Sequence, residues 1–179
     1  MKWNNIAILA TALPLISSVV SRRLQAQTAA APDSIQAAYA ADAGKLSEKF
    51  AGLAVAMAGK YDWRPGQGVR SAGDVFNLIV IENGMLNGVL SGAATKPNAK
   101  PEPITDATKM QEALRTSYAS LQQTIAGLSD SGLKTHVKLF GMDLTRQGAI
   151  MLLLSDQHEH LGQSIAYARM NGVVPPWSK

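Results

Sequence analysis

The strongest constraint on this chain is an alternation between long stretches whose apolar residues recur every three to four positions and short segments that no helix can cross. The clearest break runs from Thr95 to Pro103, where Pro97, Pro101 and Pro103 fall close together. Proline lacks a backbone donor and fixes its own φ, so this segment reads as an extended crossover. Its length matters. Antiparallel helix neighbours need only a few linking residues, whereas a longer link lets the chain run back along a bundle.

Four helical stretches follow from the spacing. Between Ser34 and Tyr61, the residues Leu46, Phe50, Leu53 and Met57 share one helix face. Gly59 and the run Asp62, Trp63, Arg64, Pro65 and Gly66 end that helix. Ser71 is placed to cap a second helix, with Asp74 in its first turn. The inward face there reads Val75, Leu78, Ile79, Glu82, Leu86 and Leu90. Thr105 or Asp106 can cap a third helix bearing Met110, Leu114, Tyr118, Leu121 and Ile125, which Gly127 to Gly132 close. Leu133 to Leu144 stays open between a short strand pair and a plain cover over one end of the bundle. Thr145 caps a fourth helix whose face carries Ala149, Leu152, Leu153, Asp156, His160, Gln163, Tyr167 and Met170. Asn171 and Gly172 stop it ahead of Pro175 and Pro176. Four amphipathic helices bury their faces most simply against one another. The expected fold is all-α, a four-helix bundle with a long crossover between its second and third helices.

The 179 residues suit one domain, and 46% hydrophobic with 17% charged residues supply a core. Aromatic residues at 6% favour helix over strand. Cysteine is absent, which excludes disulfides, thiolate metal ligands, a cysteine nucleophile and a lipid-modified N-terminal cysteine. The net charge of +4 includes Lys2, Arg22 and Arg23 from the N-terminal segment, so the remainder is close to neutral. With no stripe of Lys and Arg, no nucleic acid is expected as a partner.

Residues 1–31 read as a signal peptide or N-terminal apolar segment, ahead of a bundle domain at 33–179. Lys2 precedes a mainly apolar run from Ile6 to Val20, interrupted by Thr11, Pro14, Ser17 and Ser18. A spanning helix needs about 20 apolar residues, so the run suits a signal-peptide core better than a permanent anchor. Ala26 and Ala29 to Ala31 offer small residues for cleavage. Arg22 and Arg23 oppose this reading, because positive charge normally precedes the apolar run. The expectation is an exported protein of the periplasm or bacterial cell envelope. An uncleaved anchor, with membrane contact only through this segment, and a cytosolic apolar arm are the alternatives.

The chemistry gathers on the fourth helix, where Asp156 and His160 stand four residues apart and so rise from one face. Leu153, Ala149 and Tyr167 share that face, which should point inward. Buried polar groups without partners cost roughly 1–3 kcal/mol each. Asp156 and His160 therefore call for each other, a water, a metal ion, or a polar group from another helix. Glu82 and Asn83 of the second helix are the nearest candidates, and Glu82 lies in an otherwise apolar stripe. Two readings stay open. Asp156, His160 and Glu82 hold a divalent ion, as facing helices of bundles do; or Asp156 simply accepts a hydrogen bond from His160 and fixes helix register. His158 and Glu159 point to other, solvated faces, and His136 has no partner that the sequence identifies. No glycine-rich loop joins a strand to a helix, which argues against nucleotide binding. Ser155 and Asp156 are adjacent and face different ways, which argues against a Ser-His-Asp relay.

Several segments resemble the DinB family of metal-dependent helical bundles, which includes thiol-linked transferases. Tyr61-Asp62-Trp63-Arg64-Pro65 and Arg70-Ser71-Ala72-Gly73-Asp74-Val75 resemble the family's Trp-x-Pro turn and the Ser-Val-x-Glu opening of its second helix. His160-Leu161-Gly162-Gln163 resembles its His-x-Gly-Gln, and Tyr167 through Pro176 resembles its Tyr-x-Arg-x-Asn-Gly-x-x-Pro-Pro ending. The similarity runs from about Ile35 to Trp177 and is most specific in the C-terminal segment. It implies a four-helix bundle with an unusual connection order.

The resemblance also implies a metal site of three histidines, one on the second helix and two spaced by four on the last. His160 matches the last of these, and Asp156 stands where the other would be. The second-helix position falls on Leu78, which ligates nothing; its neighbour Asn77 is a poor ligand, and Glu82 one turn on is the nearby acid. The usual triad is therefore depleted, and carboxylates in place of imidazoles shift preference from zinc or nickel toward manganese or magnesium. The expected role is an exported, non-catalytic or ligand-binding protein with a degenerate site of Asp156, His160 and Glu82. The alternative is a divalent-metal-dependent enzyme of transferase or hydrolase type using the same residues. A small-molecule ligand and a homodimer are both compatible with the sequence. Export weighs against a thiol transferase, since the thiols it needs are mainly cytosolic.

Overall fold

Ser34, Ser71, Asp106 and Thr145 each place a side-chain oxygen on a backbone N–H three residues ahead, and each opens a long helix. At Ser71 the exchange is reciprocal: Ser71 Oγ accepts from Asp74 N–H at 3.1 Å while Asp74 Oδ2 accepts from Ser71 N–H at 2.9 Å. The helices that follow are α1 (Ile35–Ala56), α2 (Ala72–Ser91), α3 (Ala107–Ala126) and α5 (Arg146–Met170), with a single turn, α4 (Asp130–Leu133), between the last two. The ambiguous stretch before α5 is an antiparallel hairpin of β1 (His136–Leu139) and β2 (Met142–Thr145). This computed structural model describes residues 33–93 and 101–178. The expected targeting segment and residues 95–100 of the proline-rich crossover lie outside them. No helix among the described residues is long and apolar enough to cross a membrane.

Packing follows the faces read from the sequence. Leu46, Phe50, Leu53 and Met57 of the first segment are fully buried, as are Met110, Leu114, Tyr118, Leu121 and Ile125 of α3. Each such side chain contributes roughly 1.5–3 kcal/mol relative to exposure. The Phe50 and Tyr118 rings stack with centroids 6.4 Å apart, joining α1 to α3. Around the bundle, α1 packs on α3, α3 on α2, α2 on α5 and α5 on α1. Helices α1 and α2 are consecutive in the chain yet scarcely touch. They sit on a diagonal, so the connection order is not a simple meander.

The last helix is rotated from its expected setting. Leu152 is 37% exposed and Met170 64%, whereas Ile150, Leu154, Gln157, Leu161 and Ala168 are buried. The cause is Gln157, which occupies the core centre although its type reads as surface. Tyr118 OH donates to Gln157 Oε1 at 2.9 Å, and Gln157 Nε2 donates to Asn83 Oδ1 at 2.8 Å. Asn83 Nδ2 in turn donates to Ser117 Oγ at 3.1 Å. With its hydrogen bonds met, the amide is tolerated inside. The inward stripe therefore runs Leu153, Gln157, Leu161. Asp156 and His160 move to its flank, where they are half-buried.

The hairpin closes this flank. Its loop, Phe140-Gly141, has φ of 52° and 79°, the left-handed pair that a two-residue turn between right-twisted strands demands. Strand β1 packs on α2, and both strands pack on α5.

Candidate metal centre

Glu82 is carried to the centre by the apolar row of α2, between Ile79 and Leu86, and is only 6% exposed. Its Oε2 is buried with no hydrogen-bond partner among the described residues. Burial pushes its pKa up to about 7, and the negative charge of Asp156 adds to the rise. His160, Arg70 and a hydrogen bond from Gln157 oppose it. A carboxyl group in this state sits between its protonated and charged forms near neutrality.

Across from Glu82, His160 Nε2 and Asp156 Oδ2 of α5 lie 3.5 Å apart. The His160 side chain is 15% exposed and that of Asp156 45%, so the pair borders the core rather than entering it. One ligand atom from each of Glu82, Asp156 and His160 lies within 4.8 Å of the others. The three residues expected from the sequence are thus brought together. Among the described residues they are the group so placed.

The orientation of His160 comes from behind. His160 Nδ1 is 3.0 Å from Gln163 Oε1, and Gln163 Nε2 donates to Tyr167 OH at 2.8 Å. An amide oxygen can only accept, so Nδ1 carries the proton and donates. The Nε2 lone pair then faces the Asp156 carboxylate. Two acceptors in that relation are satisfied by a proton, a metal ion or a water shared between them.

The site opens into a cleft of about 360 Å³. Glu82, Asp156 and His160 form part of its lining, with Arg70 and Leu78 beside them. Phe140 and Met142 reach in from the hairpin, and Leu152 from α5. Leu78 therefore borders the site without ligating. Asn77 is spent elsewhere: its side chain accepts from Ile104 N–H at 2.9 Å and donates to the Ile104 carbonyl at 3.1 Å, pinning the end of the crossover.

A triad of imidazoles does not fit these residues, because Leu78 offers no donor atom. A single divalent ion with oxygen-rich ligation does fit. The donor set is two carboxylates and one imidazole, the unpartnered Glu82 oxygen belongs to it, and the cluster is compact.

The other histidines make smaller pairs. His158 Nε2 lies 2.9 Å from Asp42 Oδ2, and His136 Nδ1 lies 2.7 Å from Asp143 Oδ1, with Lys138 Nζ at 2.8 Å from the same carboxylate. The side chain of His158 is half exposed and that of His136 mostly so. Sequence reading passed over Gln157, Arg70, Phe140 and Met142. Gln157 repeats the spacing of Leu153 and Leu161, but its residue type reads as surface.

No protein-family model matches this sequence, and no curated protein matches it either. Solved structures do match in shape, among them two DinB-like proteins. A DinB-like protein from Bacillus subtilis superposes with a TM-score of 0.65 at 17% identity, covering 79% of this chain and 96% of that one. A DinB-like protein from Bacillus cereus gives 0.66 at 18% identity, covering 82% and 98%. At such identities the likeness is one of fold, and the protein has the DinB-like all-helical fold.

Proposed function

We propose that this protein is an exported binding protein on a DinB-like scaffold, in which Glu82, Asp156 and His160 hold one divalent ion at the floor of a small-ligand cleft. The observation that carries this reading is the Glu82 carboxylate: buried, one oxygen unpartnered, and within 4.8 Å of two further ligand groups. A buried acid with one oxygen unsatisfied costs free energy, and a cation here would remove that cost. A bound ion supplies a Lewis-acidic position for an oxygen of an incoming ligand. Gln163 would hold the His160 lone pair toward the ion, and Leu78, Leu152 and the hairpin form the apolar wall beside it.

The described residues that line the cleft are apolar or charged and carry no hydroxyl, thiol or amine side chain, a lining suited to holding an ion and a small ligand. Export is supported by Lys2, the apolar run from Ile6 to Val20 and the small residues that follow.

The test is metal analysis of tag-free protein after dialysis against Mn2+, Zn2+ and Ni2+. Retention near one ion per chain, with Mn2+ held and lost in His160→Ala and Glu82→Gln, supports the proposal. Retention of no ion, or retention unchanged in both variants, rejects it. Cell fractionation of the chain with and without residues 1–31 tests export, which fails if both forms stay in the cytosol.

A further inference from the structure

The cleft beside the metal centre selects for more than an ion. With a divalent ion in place, the carboxylates of Glu82 and Asp156 balance its charge, and Arg70 leaves the cleft with one positive charge in excess. Arg70 is exposed, enters no ion pair among the described residues, and lies close enough to favour the charged form of Glu82. The remaining wall is apolar. Phe140, Met142 and Leu152 are 58%, 42% and 37% exposed, so large apolar side chains meet water next to a charged floor. Phe140 does so from a left-handed backbone setting (φ 52°) that few bulky residues adopt.

Cationic floor and apolar wall together call for an anion with a hydrocarbon body. We propose that the cleft binds a small aliphatic carboxylate, its headgroup on the ion and Arg70, and its chain against Phe140, Met142 and Leu152. This assignment rests on the metal-binding reading above. Charge complementarity disfavours an amine of the same length. Volume disfavours a polymer, since about 360 Å³ lies at the low end of small-molecule sites. Carboxylate oxygens suit the hard ion that the two acids select.

Isothermal titration of the full chain, loaded with Mn2+ and with its Mn2+ content measured on the same sample, tests this with octanoate, acetate and octylamine as probes. Octanoate should bind at least about tenfold more tightly than either acetate or octylamine. Its affinity should fall about tenfold or more in Arg70→Ala and on removal of Mn2+. Phe140→Ser should weaken octanoate and leave acetate unchanged. Retained Mn2+ without octanoate binding overturns the ligand assignment and leaves the metal reading standing. Octylamine binding as tight as octanoate, or octanoate binding indifferent to Arg70→Ala, overturns it equally. A chain that retains no Mn2+ overturns both.

Discussion

Gln163 Oε1 sits 3.0 Å from His160 Nδ1, and this contact decides which imidazole nitrogen faces Glu82 and Asp156. Tyr167 OH accepts from Gln163 Nε2 at 2.8 Å and tethers the far end of the amide. Partners of this kind typically tune metal affinity by 10–100-fold. Gln163→Leu should weaken Mn2+ binding by about that range while leaving the helical circular dichroism spectrum unchanged. Nitrogen-15 shifts of the metal-free protein should show His160 protonated on Nδ1, and a mixture of tautomers in the variant.

Glu82 gives the metal-free protein a pH signature. Below pH 4.5 the carboxyl is protonated in both folded and unfolded chains. Between 4.5 and about 7 the folded chain keeps a proton that the unfolded chain has released, so stability falls as pH rises through this window. Above about 7 this contribution is flat, and the total loss is on the order of 3 kcal/mol. Urea denaturation from pH 4 to 8 should show the decline, and Glu82→Gln should abolish it. In the same window Mn2+ affinity should rise with pH, because the ion displaces the proton.

The buried amide network predicts a graded response. Tyr118→Phe leaves Gln157 Oε1 without its donor and should cost about 1 kcal/mol. Gln157→Leu removes the acceptor of the Tyr118 hydroxyl and the donor to Asn83 Oδ1 together and should cost about 2–3 kcal/mol. Equal midpoints for the two variants in urea would contradict the network.

Phe140 occupies the first position of a turn that favours Asn followed by Gly, and only its glycine suits the left-handed backbone. Phe140→Asn should raise stability by about 1 kcal/mol, read as a higher thermal midpoint. Octanoate affinity should fall in the same protein, since the ring is lost from the cleft wall. A variant that gains neither stability nor loses affinity would show that the residue serves neither end.

Much of this architecture is legible in the sequence because it rests on local rules. Ser71 with Asp74 and Thr145 ahead of Arg146 announce helix starts, and the rows through Phe50 and Tyr118 announce buried faces. Asp156 and His160 share a helix face by spacing alone, and Glu82 stands out as an acid in an apolar stripe. The setting of the last helix was not legible, because a buried Gln157 looks like surface until Tyr118 and Asn83, distant in the chain, are seen to satisfy it. Arg70, Phe140 and Met142 were hidden for the same reason: what brings them to Glu82 is the packing of a hairpin on α2 and α5, not any spacing along the chain.

The central claim is that Glu82, Asp156 and His160 share one divalent ion. A crystal structure grown with Mn2+ and measured at an anomalous wavelength tests it most directly. The account predicts a single anomalous peak about 2.0–2.3 Å from a Glu82 carboxylate oxygen, an Asp156 carboxylate oxygen and His160 Nε2. An empty map between these three side chains, or a peak bound only by the exposed His136–Asp143 or His158–Asp42 pairs, would contradict it.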